Sequence, residues 1–354
     1  MRKIILISRL EEAQNRTGLG IYSENVESVL KNSGTEYEHL YISMPEDYGG
    51  GISGLLKWII SGVIFPAMSL WKRRKEQNTY HLMYEAWGFV LPFIKGKKIV
   101  TFHHVVKNEE KMDNSWGVFW RLNSFLSTHL ADIIIAISPQ TRDDLAEYFN
   151  TPLNKIKTVF NKPYSVFTTL DNMERERKIG CVSTLHKRKN VAALIKAFSL
   201  LEKMNGMSDV RLQICGKGPE KKVLEELALS LGIYDKIEFI SDLSNDDLIN
   251  FYNSIAVLAN PSLHEGFGNV TFEAQRCSTP VVFFKNANIP PEVTKCAIPC
   301  EDEADLAEKM YTLITNDEYR DGIIRSGKEY ADSFGREYDE IMLRLYLGSD
   351  AHGK

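Results

Sequence analysis

The strongest constraint on the fold is a pattern of short apolar runs that alternate with helical patterns, and it occurs twice in 354 residues. Candidate strands lie in the first half at 3–8, 39–42, 98–102, 131–137 and 157–160, and in the second half at 178–183, 211–215, 236–240, 255–259 and 280–284. Strands that alternate with helices form parallel sheets with helices on both faces. The sequence therefore predicts an α/β protein with two doubly wound, Rossmann-like domains.

The boundary between the domains is predicted at 161–177, where the pattern pauses in a stretch with Asn, Pro and Ser and then a charge cluster. We expect an N-terminal domain over 1–163 and a C-terminal domain over 164–332, because the chain is too long for one ordinary core. The helical run at 333–348 has an apolar face and is a candidate to pack back on the first domain. The two domains are expected to face each other across a cleft at the carboxyl ends of both sheets, where such folds bind ligands.

Composition excludes some functions. The chain is 44% hydrophobic and 25% charged with a formal net charge of −4, which is typical of a globular protein and gives no global electrostatic case for nucleic acid. The five cysteines form no CxxC pair and no His or Cys cluster accompanies them, so a metal site is not expected. A reducing, cytoplasmic location fits this cysteine usage.

The segment most informative for function carries two glutamates, Glu265 and Glu273. A strand pattern ends at Asn260, and a helical pattern starts beyond the glycines. Between the strand and the helix lie the residues expected to bring backbone amides close to a ligand: Gly266, Phe267, Gly268, Asn269 and Val270. Such a junction points free N–H groups and the positive end of a helix at an anion, most often a phosphate.

The order of this segment and further motifs resembles the retaining, nucleotide-sugar-dependent glycosyltransferases of family 4, which have the GT-B fold, and the resemblance covers nearly the whole chain. The motifs are the segment 261–282, the glycine loop with Gly18 and Gly20, Thr101-Phe102-His103, Asp132 with Ser138, Leu185 with Lys189-Asn190, and Gly216-Lys217-Gly218-Pro219. The resemblance implies a hexosyltransferase that uses a nucleotide-diphosphate sugar such as UDP- or GDP-hexose and acts in polysaccharide or glycolipid biosynthesis.

The resemblance also assigns residues to the donor. Glu265 is expected to meet the sugar as a catalytic residue, and Glu273 to accept hydrogen bonds from the ribose hydroxyls. Lys189 matches the lysine that binds the phosphates. Where many members carry an arginine after a glycine, this chain has Thr184, so we expect Arg188 to replace it because a guanidinium offers a fork to two phosphate oxygens.

On the acceptor side, His103 follows a buried strand pattern, which places it at a carboxyl strand end. The resemblance implies that this catalytic histidine contacts the sugar near its reactive carbon or its O6 hydroxyl, and that Gly18 and Gly20 bind the donor. The next residue, often Asp in the family, is His104 here. His264 could touch the sugar or only close the turn before Glu265.

The mechanism implied by the resemblance is retention by a front-face route, without a carboxylate nucleophile, in which the leaving phosphate takes the acceptor proton. Acidic pairs at Asp143-Asp144 and Asp246-Asp247 lie within predicted helices, and no DxD pair lies at a strand end. We therefore expect a reaction that needs neither a metal ion nor another cofactor.

The segment 57–75 has two interpretations. It contains a mostly apolar run from Trp58 to Trp71, shorter than the roughly 20 residues that span a bilayer, and the basic cluster 72–75 follows. Trp beside basic residues is typical of an interfacial segment, which would imply a polyprenyl or other lipid-linked acceptor at the cytoplasmic face of the membrane. A buried helix with an exposed basic end explains the pattern equally well and leaves a soluble saccharide as acceptor.

Three other functions were weighed for the whole chain. A non-hydrolysing sugar-nucleotide epimerase has two similar domains, but its catalytic carboxylates are not visible at the predicted strand ends of the first half. A dinucleotide oxidoreductase is disfavoured because Gly18-Leu19-Gly20 lacks the third glycine of its fingerprint. A non-catalytic nucleotide-sugar-binding module remains the third alternative.

Overall fold

The structure is a computed structural model that describes residues 3–9, 18–42, 63–105, 115–163, 166–171 and 173–348. The chain divides into two compact units. The first unit consists of Met1–Lys162 together with Gly335–Lys354, and the second is Pro163–Phe334. Each unit contains a parallel sheet with helices, so the predicted fold class is confirmed.

The sheet of the first unit has the strand order β2-β1-β3-β4-β5-β6, and every pairing in it is parallel. The strands are β1 (Ile4–Arg9), β2 (Tyr37–Ile42), β3 (Thr79–Leu82), β4 (Lys97–Phe102), β5 (Ile133–Ala136) and β6 (Ile156–Thr158). The helices are α1 (Gly18–Asn32), α2 (Phe65–Arg73), α3 (Ser115–Leu130) and α4 (Pro139–Phe149), and a 3₁₀ helix spans Glu85–Phe93.

Burial on both faces explains the continuous apolar run of β1. Ile5 and Ile7 lie in one apolar cluster, whereas Ile4 and Leu6 lie in another. Successive side chains of a strand point to opposite faces, so the two clusters cover the two faces of the sheet. A parallel strand that is covered on both sides needs apolar residues at every position, which is what the sequence shows.

The sheet of the second unit has the order β12-β11-β10-β7-β8-β9. Its strands are β7 (Glu176–Val182), β8 (Arg211–Cys215), β9 (Ile237–Ile240), β10 (Ile255–Asn260), β11 (Val281–Phe284) and β12 (Ile298–Cys300). Its helices are α5 (Val191–Leu201), α6 (Lys221–Ser230), α7 (Asn245–Ser254), α8 (Asn269–Arg276), α9 (Pro291–Thr294), α10 (Glu303–Thr315) and α11 (Asp317–Ser333). Strand β10 is buried along its whole length, and its apolar residues are divided between two apolar clusters.

All ten predicted strands are present, with ends within two residues of the prediction, but β3 and β12 were not predicted. Strand β3 reads Thr-Tyr-His-Leu, and its polar Thr79 and His81 break the apolar pattern although both are fully buried. Strand β12 has three residues, one of which is Pro299. The omission matters because β3 lies between β1 and β4 in the sheet.

Two residues of the motifs that carry the family resemblance, Ser138 and Asp132, have structural roles. The hydroxyl of Ser138 accepts a hydrogen bond from the Thr141 amide at 3.1 Å and caps α4. Asp132 accepts a hydrogen bond from the Lys98 amide at 2.7 Å and so ties the start of β5 to β4. These contacts stabilise the local structure around β5 without any ligand.

The last helix, α12 (Tyr338–Leu347), belongs to the first unit and packs against α1. Tyr338, Met342 and Tyr346 are buried in the cluster that contains Tyr22, and Leu345 is partly buried there. The Tyr346 hydroxyl lies 2.5 Å from Nδ1 of His81, whose Nε2 lies 2.8 Å from the Thr101 hydroxyl. Burial lowers the pKa of His81 to about 3, so its ring is neutral and serves as a structural link between α12 and the sheet.

Gly88 allows the 3₁₀ helix to approach α3 closely, and we predict that Gly88→Ala destabilises the first unit. A Cβ at this position would lie 2.1 Å from the Asn123 carbonyl oxygen, so the two helices must separate. The expected cost is about 1–3 kcal/mol, as for other overpacked sites, measured as a lower midpoint of urea unfolding.

The matched control is Gly322→Ala in α11, where a Cβ would meet no atom within 4 Å. This variant should be neutral or stabilise the protein by about 0.5–1 kcal/mol, because alanine favours the helix interior. Equal effects of the two substitutions would contradict the prediction.

Candidate functional site

The candidate site of the second unit lies at the carboxyl ends of three adjacent strands, β10, β7 and β8. The chain moves from β7 to β8 in one direction and later returns to place β10 on the other side of β7. Doubly wound sheets bind ligands at such a switch point. The loops that follow these strands therefore contain the residues of interest.

An ion pair joins two of these loops. Nζ of Lys189 contacts Oε1 of Glu265, and the two side chains are only 12% and 13% exposed. The backbone supports the contact, since the Leu263 amide donates to the Arg188 carbonyl oxygen at 2.9 Å. The structure thus brings Lys189, which is predicted to bind the phosphates, into contact with Glu265, the predicted catalytic glutamate. Little solvent surrounds the two side chains to screen their charges.

Arg188 lies next to this pair and is exposed. Its Nη1 donates to the carbonyl oxygen of His264 at 3.2 Å, which holds the guanidinium against the loop before Glu265. The remaining N–H groups of the fork stay available for a ligand. Thr184 is also exposed but has no charge, so Lys187, Arg188 and Lys189 supply the positive charge of this loop.

The loop before α8 is held by Asn288. The backbone amide of Glu265 donates to the Asn288 carbonyl oxygen at 3.0 Å, and the backbone amide of Asn288 donates to the Leu263 carbonyl oxygen at 2.8 Å. The Asn288 side-chain amide lies 3.0 Å from Nδ1 of His264, and Ser262 donates to the His264 carbonyl oxygen. His264 is therefore part of the turn that positions Glu265.

The first turn of α8 has no side-chain cap. Gly268 precedes it with φ +90°, a left-handed conformation that favours glycine. The first N–H groups of a helix have no partner within it, so they are available to an anion. Phe267 is buried and stacks on Phe272 with ring centroids 5.5 Å apart, which leaves only its backbone for a ligand.

The neighbouring residues of α8 differ in their environment. Val270 is partly buried against the apolar cluster below the helix. Asn269 has a buried Oδ1 with no hydrogen-bond partner within the described part of the chain. Gly266 is partly exposed.

Glu273 is more buried than a solvated helix residue. It is 6% exposed, and its Oε2 accepts a hydrogen bond from the Tyr252 hydroxyl at 2.8 Å. Burial raises the pKa of Glu273 to about 7, although the hydrogen bond from Tyr252 opposes the shift. The carboxyl group therefore changes its charge near neutral pH instead of remaining an ionised surface group.

The Gly216–Pro219 loop packs directly on the loop that follows β7. A Cβ on Gly216 would lie 1.8 Å from the Ser183 carbonyl oxygen, and one on Gly218 would lie 2.4 Å from that of Leu185. The Leu185 amide donates to the Lys217 carbonyl oxygen at 3.0 Å. Both glycines are needed for this close approach, which supports the loop that carries Arg188 and Lys189.

In the first unit, His103 directly follows β4. Its Nε2 donates to the Met83 carbonyl oxygen at 2.9 Å, and its ring lies edge-on to Tyr22 with centroids 4.9 Å apart. Burial lowers the pKa of His103 to about 4, so the imidazole is neutral at physiological pH. Because Nε2 carries the proton, Nδ1 is the hydrogen-bond acceptor.

Glu85 lies beside His103 and was not singled out from the sequence. It is fully buried, and its Oε2 is 3.5 Å from the His103 amide nitrogen. Burial raises the pKa of Glu85 to about 8, so it is mostly protonated at neutral pH. No local motif indicates Glu85. It lies beside His103 because β3, which precedes Glu85, pairs with β4, which precedes His103.

The predicted glycine loop differs from the structure. Gly18 and Gly20 lie in the first turn of α1, which begins at Gly18. Gly20 is buried and Gly18 is exposed, so a helix N-terminus takes the place of the expected loop at these two positions. A helix can begin at a glycine with little penalty, because the first turn lacks its full set of backbone hydrogen bonds.

The sequence also missed two partners of the predicted site residues, Tyr252 and Asn288. Tyr252 lies in α7, and Asn288 lies in the loop after β11. Neither residue stands at a fixed spacing from Glu265 or Glu273 that a sequence pattern would reveal. Their roles depend on tertiary packing.

No group of three or more His, Cys, Asp or Glu side chains that could hold a metal ion occurs within the described residues. Asp143 lies in α4, and Asp247 caps α7 through its contact with Ser244. All five cysteines are free thiols, and burial raises the pKa of Cys300 to about 12.

The segment 57–75 is described from residue 63 onward, and residues 57–62 lie outside the described residues. Helix α2 within it exposes Phe65 by 61% and Trp71 by 50%. The Arg74 guanidinium lies 3.2 Å from the centroid of the Trp71 ring, whereas Arg73 is bound to Glu38 at 2.8 Å. No helix among the described residues is long and apolar enough to cross a membrane.

Solved structures with the same fold cover the whole chain. WaaG, a glycosyltransferase involved in lipopolysaccharide biosynthesis, superposes with a TM-score of 0.73 at 14% identity over 98% of this chain and 100% of that one. HepE of Anabaena, in complex with UDP-glucose, gives a TM-score of 0.72 at 14% identity over 98% and 99%. The fold class of the chain is therefore the GT-B fold of these glycosyltransferases.

Curated relatives match part of this chain. An uncharacterized glycosyltransferase of Methanocaldococcus jannaschii is 31% identical over 173 residues, which covers 45% of this chain and 43% of the relative. A D-inositol 3-phosphate glycosyltransferase of Corynebacterium jeikeium is 28% identical over 243 residues, covering 61% and 57%. The chain thus spans about half the length of these two relatives.

A family model named Glycosyl transferases group 1 matches residues 168–330. The match includes β7, the basic loop after it, the glycine loop after β8, and the segment with Glu265 and Glu273. Residues 168–330, which form nearly all of the second unit, are therefore similar to the glycosyl transferases group 1 family.

Proposed function

We propose that the protein is a retaining glycosyltransferase of family 4 that moves a hexose from a nucleotide-diphosphate sugar to a saccharide or a lipid-linked saccharide. The observation that carries the proposal is the desolvated Lys189–Glu265 pair, which lies beside Arg188 and the loop before α8. A cation for the diphosphate and a carboxylate for the sugar are thus adjacent. The proposed donor class is UDP- or GDP-hexose; solved structures of similar fold that hold UDP-glucose, or UDP and GlcNAc, support the UDP-linked donor.

The phosphates need positive charge because the diphosphate gains negative charge as the glycosidic bond breaks. Lys189 and Arg188 would supply it together with the uncapped N-terminus of α8. The backbone amides around Gly266, Gly268, Asn269 and Val270 would complete the donor site. We assign the same donor-binding role to Gly18 and Gly20 in the first turn of α1.

Retention would follow a front-face route, in which the acceptor hydroxyl attacks on the side from which the diphosphate leaves. The leaving phosphate would take the acceptor proton, so positioning and charge stabilisation would do most of the catalysis. His103 fits a role at the sugar, because its neutral ring presents Nδ1 as an acceptor for a sugar hydroxyl. Nothing in this scheme needs a metal ion or another cofactor.

Glu273 would bind the ribose of the donor. A carboxylate accepts hydrogen bonds from two neighbouring hydroxyls, and the Tyr252 hydroxyl holds Oε2 in place. The role requires the ionised form, which the pKa of about 7 makes accessible at physiological pH.

The acceptor would reach the protein at an anionic membrane surface if α2 is an interfacial helix. Its exposed Phe65 borders an apolar pocket of about 270 Å³. Trp71 is exposed on the same helix, and Lys72 and Lys75 are exposed beside it. Apolar side chains next to basic ones suit the headgroup region of a bilayer. We propose a cytoplasmic enzyme that binds the cytoplasmic face of the membrane and uses a polyprenyl-linked or other lipid-linked acceptor.

The first prediction from this proposal concerns Glu265→Ala, assayed as sugar transfer from UDP- or GDP-hexose in excess EDTA. We expect transfer to fall on the order of 10²–10³-fold, as when one group that stabilises a transition state is removed. Nucleotide affinity should be retained, because Lys189 keeps its charge.

The same assay tests metal independence. Loss of wild-type transfer in excess EDTA would contradict it.

Glu301→Ala is the matched control, since it breaks the exposed ion pair with Lys285 in the same unit. It should leave transfer unchanged. Unchanged turnover in Glu265→Ala would refute the catalytic role of Glu265, and a wild type that binds donor without transferring sugar would indicate a non-catalytic binding module.

The second prediction concerns the pH dependence of donor binding. Below pH 7 Glu273 gains a proton and can no longer accept hydrogen bonds with both oxygens, so UDP-glucose should bind more weakly as pH falls from 8 to 6. The limiting slope is about tenfold per pH unit. Isothermal calorimetry with Glu273→Gln should show a flat profile, whereas Glu301→Gln should keep the slope. The same slope in Glu273→Gln would exclude Glu273 as its origin.

The third prediction concerns membrane binding. Wild-type protein should co-sediment with anionic vesicles at moderate salt, and Lys72, Arg74 and Lys75 changed together to Gln should weaken this binding about 100-fold, at about 1 kcal/mol per charge. Arg73 is left intact because it binds Glu38. Replacing the exposed Lys217, Lys222 and Lys285 is the control and should have no effect. Absence of binding by the wild type would end the membrane hypothesis.

A further inference from the structure

A chain of hydrogen bonds joins a carboxylate, an imidazole and a hydroxyl in the first unit. Oε1 of Glu27 lies 2.7 Å from Nδ1 of His39, and Nε2 of His39 lies 2.7 Å from Oγ of Ser8. The three residues come from α1, β2 and β1, so sheet pairing and helix packing assemble them. None of them belongs to a motif that the sequence revealed.

The protons in this chain have defined positions. A carboxylate can only accept, so Nδ1 of His39 must donate to Glu27. The His39 side chain is 6% exposed, and burial lowers its pKa, so the ring is neutral at pH 7 and Nε2 must accept. The Ser8 hydroxyl therefore donates its only proton to His39. Its remaining lone pairs can serve only as acceptors for another group.

Ser8 lies at the carboxyl end of β1, where the first sheet has its switch point between β1 and β3. A cavity of about 10 Å³ opens there. The described residues that line it are Ser8, Arg9, Leu19, Gly20, Ser23, Met83 and Tyr84. This volume suits one water molecule or one hydroxyl group. Switch points are where doubly wound sheets bind ligands, so the polarised hydroxyl is at a place suited to recognition.

We propose that Ser8, polarised by His39 and Glu27, binds one non-reacting hydroxyl group of the saccharide acceptor by accepting a hydrogen bond in this cavity. The inference rests on the proposed glycosyltransferase function and adds an acceptor subsite to it. No bond is made or broken at Ser8. His39 and Glu27 are positioning residues, because they act through the orientation of the serine proton.

A purely structural link between α1 and the sheet would need only the contact of Glu27 with His39. The added contact with Ser8 uses the hydroxyl proton and leaves lone pairs that can accept, on a residue that lines a cavity at the end of the strand. A ligand that donates a hydrogen bond fits this face, whereas an ether oxygen does not. The subsite therefore distinguishes a free sugar hydroxyl from a methylated one.

The test uses the full-length protein with ¹⁵N-labelled histidine, and the probes are the methyl glycosides of glucose, galactose and mannose. We expect the NMR signals of His39 to show a protonated Nδ1 and an unprotonated Nε2 at pH 7.5. A hydroxylated probe should shift the Nε2 signal in a saturable manner, and its permethylated derivative should not. The opposite tautomer, or no shift with any of the three probes, would overturn the proposal.

Ser8→Ala should abolish the ligand-induced shift and raise the acceptor KM about tenfold, the value of one hydrogen bond, without changing kcat or the donor KM. Ser28→Ala is the control, because Ser28 lies on α1 and donates to the Asn25 carbonyl oxygen outside the cavity. Equal effects of both variants would refute the role of Ser8. Sugar binding at Ser8 without any transfer by the wild type would instead refute the proposed function and leave the subsite intact.

Discussion

Burial of both faces of each parallel sheet is the constraint on which the rest of the structure depends. Residues 4–7 of β1 enter two apolar clusters in alternation, and the apolar residues of β10 are also divided between two clusters, so the strand interiors have no room for exposed polar groups. Polar side chains that can bind a ligand or take part in a reaction are consequently found where the strands end. Ser8, His103 and the loop with Lys189 all occupy such positions, and each depends on a neighbouring strand for its partner.

The same constraint explains how much of the fold the sequence predicts. Strands β1, β4 and β10 each contain an apolar run, and their patterns are legible because the positions of these runs are buried. Strand β3 is equally buried, but His81 and Thr79 satisfy their polar atoms inside the protein, as the link from His81 to Tyr346 shows. A period-based prediction treats such residues as exposed, so it misses a strand whose polar groups are paired in the core.

The candidate site is predictable only as far as its motifs are local. The junction around Gly268 follows from one short segment, whereas the contact of Lys189 with Glu265 joins residues 76 positions apart. Family resemblance pointed to both residues but not to their direct pairing. Glu273 shows the limit most clearly: its position was predicted, but its charge state depends on burial against Tyr252, which no local pattern contains.

The Lys189–Glu265 pair also suggests how the proposed donor site would divide its work. A charge that is 12–13% exposed is costly to leave unpaired, so each member of the pair requires a partner at every stage. A diphosphate would compete with Glu265 for Lys189, and Arg188 would share the added negative charge. The carboxylate released from Lys189 would then need a new partner, and the hydroxyls of the sugar attached to that diphosphate would donate hydrogen bonds to it. Donor binding would thus place Glu265 on the sugar because the phosphates have taken its lysine.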